Sequence, residues 1–296
     1  MSRTYTKVRP PAVAGRFYDD HASRCAEDAA RLCRPPQAPA DLPQTLYGAM
    51  VPHAGWVCSG RIAGMTWATL AEHTPARTVL LTGSVHTMAV FNPALETADA
   101  WATPTGPIGV DIELREALGR LDGFEPLDMA HQNEHSLEVQ LPMIAAAFGA
   151  DVKIVPCLIP PADEATDWGR AIGRLLVDWP EPVVMVASSD LTHYGPNYRF
   201  TPFGEGEKGT QWAHDVNDRE LLDEVEALHP ESIVRITRQH HNACGGGAIA
   251  ATLAAVKQLG ASRGIVLEHT DSIRELSAIG YSERANSVGY AGIVFG

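Results

Sequence analysis

The sequence predicts an α/β fold: one layered domain over residues 1–296, with a central, largely buried sheet flanked by helices. Three observations carry that reading. Short apolar runs alternate with amphipathic stretches of about 10–15 residues, the rhythm of strands joined by helices. Runs such as VVMVA at 183–187 are continuously apolar, as expected of strands covered on both faces. The chain has 296 residues, 45% of them hydrophobic, and no repeat, low-complexity tract or long polar linker divides it. A chain of that size can bury about 75% of its unfolded surface in a core.

In chain order, residues 21–33 carry apolar side chains at helical spacing. Residues 34–43 (RPPQAPADLP) read as a stiff connection, because proline fixes φ and blocks helix on both sides. Residues 46–51 are a short buried strand, 59–70 a helix, 78–82 a strand and 111–121 a helix. Residues 136–148 form an amphipathic helix, with Leu137, Leu141, Ile144 and Phe148 on one face. A strand at 152–159, a helix at 163–177 and a strand at 182–187 continue the alternation. Helices at 211–225 and 245–259 precede the closing strands at 264–268 and 288–295.

Composition excludes several classes of function. There are 23 basic against 36 acidic residues, a net charge of −13. Nucleic-acid binding needs a basic face that displaces counterions, and an anionic membrane surface attracts the same charge, so neither partner is expected. No apolar run reaches the length of about 18 residues that a membrane span needs. Residues 1–20 lack the apolar stretch of a secretory signal. Five scattered cysteines, an odd number, argue against a disulfide scaffold and for a reduced, cytoplasmic protein. The unusual feature is the count of 12 histidines.

Their placement suggests a site. In open α/β sheets, functional groups gather beyond the carboxyl ends of strands. GAMVPHAG ends its strand at His53, TVLLTGSVHT at His86, and VVMVASSDLTHYG at Asp190 and His193. QHHNACGGGAI sets Cys244 at the start of a helix, where the helix dipole favours thiolate; His241 lies close upstream. Two imidazoles and a thiolate can ligate iron, copper or zinc. Taken singly, each has a plainer reading: His53 and His86 as loop histidines bonded to carbonyls, Cys244 as a small buried residue, Asp190 as the cap of a turn at 191–194. Asp190 and His193, three apart, would share one side of a helical turn, with Asp190 fixing the imidazole tautomer. His135 and Glu138 in NEHSLEVQLP have the same spacing and divide between a pocket role and helix capping. Trp56, Tyr194 and Tyr198 offer an aromatic rim. His21, His73, His214, His229 and His269 show no partner pattern and read as surface or packing residues, and His131 has no clear role.

RPPAVAGRFY, VPHAGWVCSG, LTGSVHT, NEHSLEVQLP, SSDLTHYG and the Cys244–glycine element occur in one order over residues 9 to about 250. Together they resemble the Memo family, called AmmeMemoRadiSam system protein B in prokaryotes. The resemblance implies a fold similar to the LigB-type class III extradiol dioxygenases, which use non-haem Fe(II). It implies a metal site of His53, His86 and Cys244, with His193 as acid–base group beside Asp190 and with His135 nearby. It departs from the dioxygenases in offering a thiolate where they use a carboxylate, which favours copper(I), zinc or thiolate-bound iron. Animal members are linked to motility signalling, phosphotyrosine-peptide binding, and iron and copper handling. The prokaryotic name reflects association with an AMME-type domain and a radical-SAM protein. Three functions follow as alternatives: a metal-dependent redox or oxygenase-like enzyme acting on a small molecule with iron as first choice, a metal-binding partner or carrier, and a peptide-binding module.

Overall fold

The apolar runs lie side by side. The computed structural model describes residues 4–35 and 41–296; residues 36–40 of the connection read at 34–43 lie outside them. The strands are β1 (Val8–Arg9), β2 (Gly48–Val51), β3 (Thr78–Gly83), β4 (Ala94–Leu95), β5 (Ala100–Trp101) and β6 (Ile108–Val110). They continue with β7 (Glu125–Pro126), β8 (Lys153–Leu158), β9 (Val183–Ser188), β10 (His193–Tyr194), β11 (Gly264–Asp271) and β12 (Ser287–Phe295). One sheet runs in the order β1-β5-β6-β8-β3-β9-β2-β12-β10, with β11 also on β12 and β4 joining β8 to β7. Its centre, β6, β8, β3, β9 and β2, is parallel throughout.

Strand residues alternate between two cores. Val51, Val79, Leu81, Ile154, Val184 and Val186 face one, packed by the helices Ala22–Leu32, Trp56–Glu72 and Leu141–Phe148. Met50, Leu80, Val155, Cys157, Met185 and Ala187 face the other, under the helices Ala165–Val177, Pro230–His240 and Gly246–Leu259. Both faces are covered, which is why these strands read as unbroken apolar runs. The register sets up the site: Val51 and Gly83 both pair with Ser188, so β2, β9 and β3 end level with one another.

Three local expectations are corrected, and one helix is added. Residues 136–148 are not one helix: a 3-10 turn at Glu138–Gln140 precedes the helix Leu141–Phe148, whose first turn holds Pro142. Proline has no N–H to donate, so it begins a helix well and continues one poorly. The stretch 211–225 is three pieces, a helix Glu207–Trp212, a π-helical turn Ala213–Asp218 and a helix Arg219–Glu226. Residues 191–194 are no helical turn, because His193 and Tyr194 pair with β12. The helix Pro230–His240, with proline in its first turn, was not read from the sequence.

Glu138 is neither a surface nor a capping residue. Its carboxylate is fully buried and accepts from Arg9 Nη1 at 2.7 Å, the backbone N–H groups of Ala12 and Val13, and the Tyr18 hydroxyl. Arg9 also donates to the carbonyls of His131 and Glu134 and stacks its guanidinium over Trp101 at 4.0 Å. His131, itself buried, meets the Ala94 carbonyl through Nε2 at 3.0 Å. The RPPAVAGRFY segment is thus the brace of the loop that carries Glu134 and His135. Glu138→Ala leaves Arg9 buried without a counter-charge and should cost about 3–5 kcal/mol in urea unfolding. A loss below about 1 kcal/mol would show that the pair does not brace the loop.

Candidate metal centre

His53 stands two residues beyond β2, buried, with its N–H donated to Asp190 Oδ1 at 2.7 Å. Its Nδ1 lies 3.2 Å from Ser188 Oγ, whose one proton goes to the Ser136 carbonyl at 2.6 Å. Ser188 therefore accepts from His53 Nδ1–H, and Nε2 is the nitrogen turned to the site, 3.3 Å from Cys244 Sγ. His86 stands three residues beyond β3. Its Nδ1 meets Glu134 Oε1 at 2.9 Å and its backbone N–H meets Oε2 at 2.7 Å. A carboxylate accepts only, so Nδ1 donates and Nε2 is the nitrogen of His86 turned to the site. His135 closes the group, its ring centre 4.7 Å from that of His86 and 5.3 Å from that of His53. One nitrogen from each of His53, His86 and His135 lies within 4.8 Å of the others, a group that could hold a metal ion.

Cys244 lies beside this group without being part of it. Its Sγ is 3.3 Å from His53 Nε2, 3.6 Å from Ser84 Oγ and 3.7 Å from Ser189 Oγ. Gly245 makes that approach possible: a Cβ there would stand 2.7 Å from both Ser189 Cβ and Ser84 Oγ. The sequence places Cys244 just before the helix Gly246–Leu259, and so does the structure.

Charge is organised around the sulfur. Burial alone would raise the Cys244 thiol, but the His53 charge and hydrogen bond, the His86 hydrogen bond and the His193 charge hold it well below the usual cysteine range. His241, expected to favour the anion, instead packs on Phe200. Burial opposes a charge on His86, yet Cys244 and Glu134 lift it to about 10. Burial likewise opposes the Glu134 carboxylate, which His86 brings down to about 2. His135 is pushed down to about 4 by burial and then by the charge of His53, which keeps it neutral and able to donate a lone pair. Burial raises Asp190, with His53 acting against it.

The structure redistributes the remaining roles. Asp190 bonds His53 rather than capping a turn, and the His193 tautomer is set by the Leu191 carbonyl, 3.1 Å from Nδ1. His193 therefore keeps Nε2 free. Of the aromatic rim only Tyr198 is exposed, edge-on to His193 at 5.0 Å. Trp56 and Tyr194 are buried, the first stacked on Tyr18 and the second bonded to the Gly204 carbonyl. Phe17, not singled out in the sequence, packs on His135 at 4.9 Å. Glu134 is the main residue missed. Its signal was present in the NEH triplet, where a carboxylate directly precedes His135.

The donor set suits a transition metal: Nδ1 is engaged behind each ring, so Nε2 of His53 and His86 is the nitrogen that can bind once its proton is displaced, and a thiolate stands beside them. Two expectations follow. Glu134→Gln removes the charge behind His86 and should weaken metal affinity roughly 10–100-fold in chelator competition, with the fold intact. Cys244 should be alkylated fastest of the five cysteines and should stay reactive as pH falls below the usual thiol range. Burial pushes Cys33 up to about 12 and Cys25 to about 11, so these react only at high pH. Mass spectrometry of each cysteine across pH checks this, and equal rates for Cys244 and Cys25 would refute it.

Residues 9–294 match the family described as Memo-like protein. A MEMO1 family protein of Methanopyrus kandleri is 36% identical over 299 residues, covering 97% of this chain and 98% of its own. MEMO1 family proteins of Methanosarcina acetivorans and Methanosarcina mazei are each 33% identical, covering 97% of this chain and 99% of theirs. In three dimensions the chain is similar to the crystal structure of an uncharacterized protein from Escherichia coli K12. That match has a TM-score of 0.54 and 13% identity, and it covers 85% of this chain and 100% of the other. It shows a shared fold. With the strand-end histidines in place and relatives matching nearly end to end, the chain belongs to the Memo family.

Proposed function

We propose that the protein is a metal-dependent redox or oxygenase-like enzyme acting on a small molecule at the strand-end cluster, with iron(II) held by His53, His86 and Cys244 and with His135 alongside. Bound iron would supply Lewis-acid and one-electron chemistry. The chain's own part is to hold the imidazoles in one tautomer, to keep the sulfur anionic, and to move a proton at His193 Nε2. The observation that carries this reading is His193: it engages Nδ1 on a carbonyl and leaves Nε2 free, within charge range of Cys244 and Asp190. A carrier needs ligands but no poised proton-transfer group.

The half-buried ring of Phe17 and the exposed ring of Tyr198 favour a second reading, in which the same cleft takes an aromatic side chain of a peptide. The protein would then be a metal-binding partner of AMME-domain and radical-SAM proteins. Metal analysis of protein purified without chelator, followed by an oxygen-consumption screen with a reductant and small phenols and thiols, separates the two. The enzyme reading expects near-stoichiometric iron and chelator-sensitive oxygen uptake. Copper or zinc in its place would change the metal assignment. Bound metal with no uptake would favour the partner reading.

A further inference from the structure

A second pair of histidines stands outside the donor set, and nothing in their sequence surroundings suggests a partner. His214 and His269 stack face to face, ring centres 4.0 Å apart and planes within 6°. Each has its own carboxylate: His214 Nδ1 is 2.7 Å from Asp215 Oδ1, and His269 Nε2 is 3.0 Å from Asp218 Oδ2. The π-helical turn Ala213–Asp218 carries three of these groups and turns Asn217 and Asp218 together into the interior.

Asp218 reaches the candidate site through the backbone. Its Oδ1 accepts the N–H of Thr192, the residue before His193, at 3.0 Å, while Asn217 Nδ2 donates to Thr192 Oγ1 at 2.9 Å. On the other side, Leu191 N–H donates to the Gly289 carbonyl at 2.8 Å, and Gly289 N–H to the Thr192 carbonyl at 3.0 Å. Gly289 has to be glycine, since a Cβ would stand 2.2 Å from Asp218 Oδ2. Segment 191–192 is thus clamped between β12 and one buried carboxylate.

Two parallel imidazoles at this spacing cannot both be cationic without strong repulsion. A charged His214 would also bury an Nε2–H that has no acceptor, so it is His269 that is free to carry the proton. The other charged groups around the pair are already engaged. Asp215 holds His214, and Arg274 is closed on Asp271. On the elements flanking β11, Arg61 is closed on Glu268 and Glu275, and Arg219 on Asp223 and Glu226; β12 contributes the buried Tyr290. Protonated His269 makes Asp218 half of a neutral buried pair. Losing the proton leaves an uncompensated carboxylate in the interior, and the segment it holds is what can yield.

We propose that Asp218, with His269 behind it, is a positioning pair for His193, locking segment 191–193 when His269 is protonated and releasing it when the proton is lost. Its bearing on turnover rests on the role given to His193 above; the clamp itself does not. The test is Thr192 amide exchange followed by NMR across pH, corrected for intrinsic exchange, with the ring nitrogens of His269 and His193 observed in the same samples. In the unaltered protein, Thr192 exchange should rise at least roughly tenfold as His269 loses its proton, and the His193 resonances should move at the same midpoint. Asp218→Asn keeps an acceptor for Thr192 without the buried charge, and His269→Gln keeps a donor that cannot titrate. Asp218→Asn should hold Thr192 protected with no step, whereas His269→Gln, which leaves the Asp218 charge uncompensated at every pH, should show the released-state exchange throughout, also with no step. A step of the original size in His269→Gln, or none in the unaltered protein across the His269 titration, would overturn the clamp. If the step is present and His193→Ala retains full turnover, the clamp stands and the catalytic reading fails.

Discussion

Replacing His53 and His86 together by alanine should strip bound transition metal from near one ion per chain to below roughly a tenth of that, with the fold retained. Both residues lie just past strand ends, so neither contributes to the sheet ladder, and the apolar residues of β2 and β3 that form the core are untouched. What disappears is two nitrogen donors, together with the purpose of the Ser188 and Glu134 contacts behind them. Cys244 and His135 would remain, a pair too few and too loosely held to retain the ion against a chelator. The affinity of the unaltered protein should itself fall on acidification. With no metal bound, His86 keeps its proton up to about pH 10, so metal entering near neutrality displaces that proton. Each displaced proton lowers affinity about tenfold per unit fall in pH. Cys244 is already anionic and adds little to this dependence. Elemental analysis and circular dichroism on the same double variant decide the assignment; unchanged metal content would place the ion elsewhere.

His193→Ala should lower turnover about 10²–10⁴-fold while metal occupancy stays close to that of the unaltered protein. His193 is outside the histidine group that could hold the ion, and its Nδ1 is spent on the Leu191 carbonyl. Only its Nε2 can act, and proton transfer is what a free imidazole nitrogen beside a thiolate and a buried carboxylate can do. Were His193 merely a brace for the loop, its loss would weaken metal binding roughly 10–100-fold and activity in step with it. Metal titration and oxygen uptake on one preparation separate the two outcomes, and parallel losses would remove the acid–base role.

The strand-end histidines were legible because a parallel sheet reduces to a sequence rule: a buried apolar run followed by a small-residue turn marks a position at the carboxyl edge. That rule found His53, His86, Asp190 and His193 at their places without any knowledge of strand order. The glycines after Cys244 were legible for a similar reason, since close approach of backbone requires them. Spacing within short motifs was a poorer guide. The three-residue offset of Asp190 and His193 reads as the face of a helical turn that does not form, and that of His135 and Glu138 lies in a turn that does form but does not bring the two side chains to one site. In one case a β-bridge to Val288 replaces the turn, and in the other an ion pair with Arg9, far away in sequence, captures the carboxylate.

The sequence by itself determined the α/β alternation, the two-sided burial of the strands and which loops bear the histidines, because each depends on hydrophobic period and on residues a few positions apart. Tertiary structure alone decided that β9 lies between β2 and β3 and so levels their ends. It alone decided that Glu134 backs His86, that the Cys244 charge is held by His53 and His86 rather than by His241, and that His214 and His269 stack. Each of these is a contact between side chains tens to nearly two hundred residues apart. Their energies come from burial and mutual charge, which exist only once the sheet has assembled and excluded water around them.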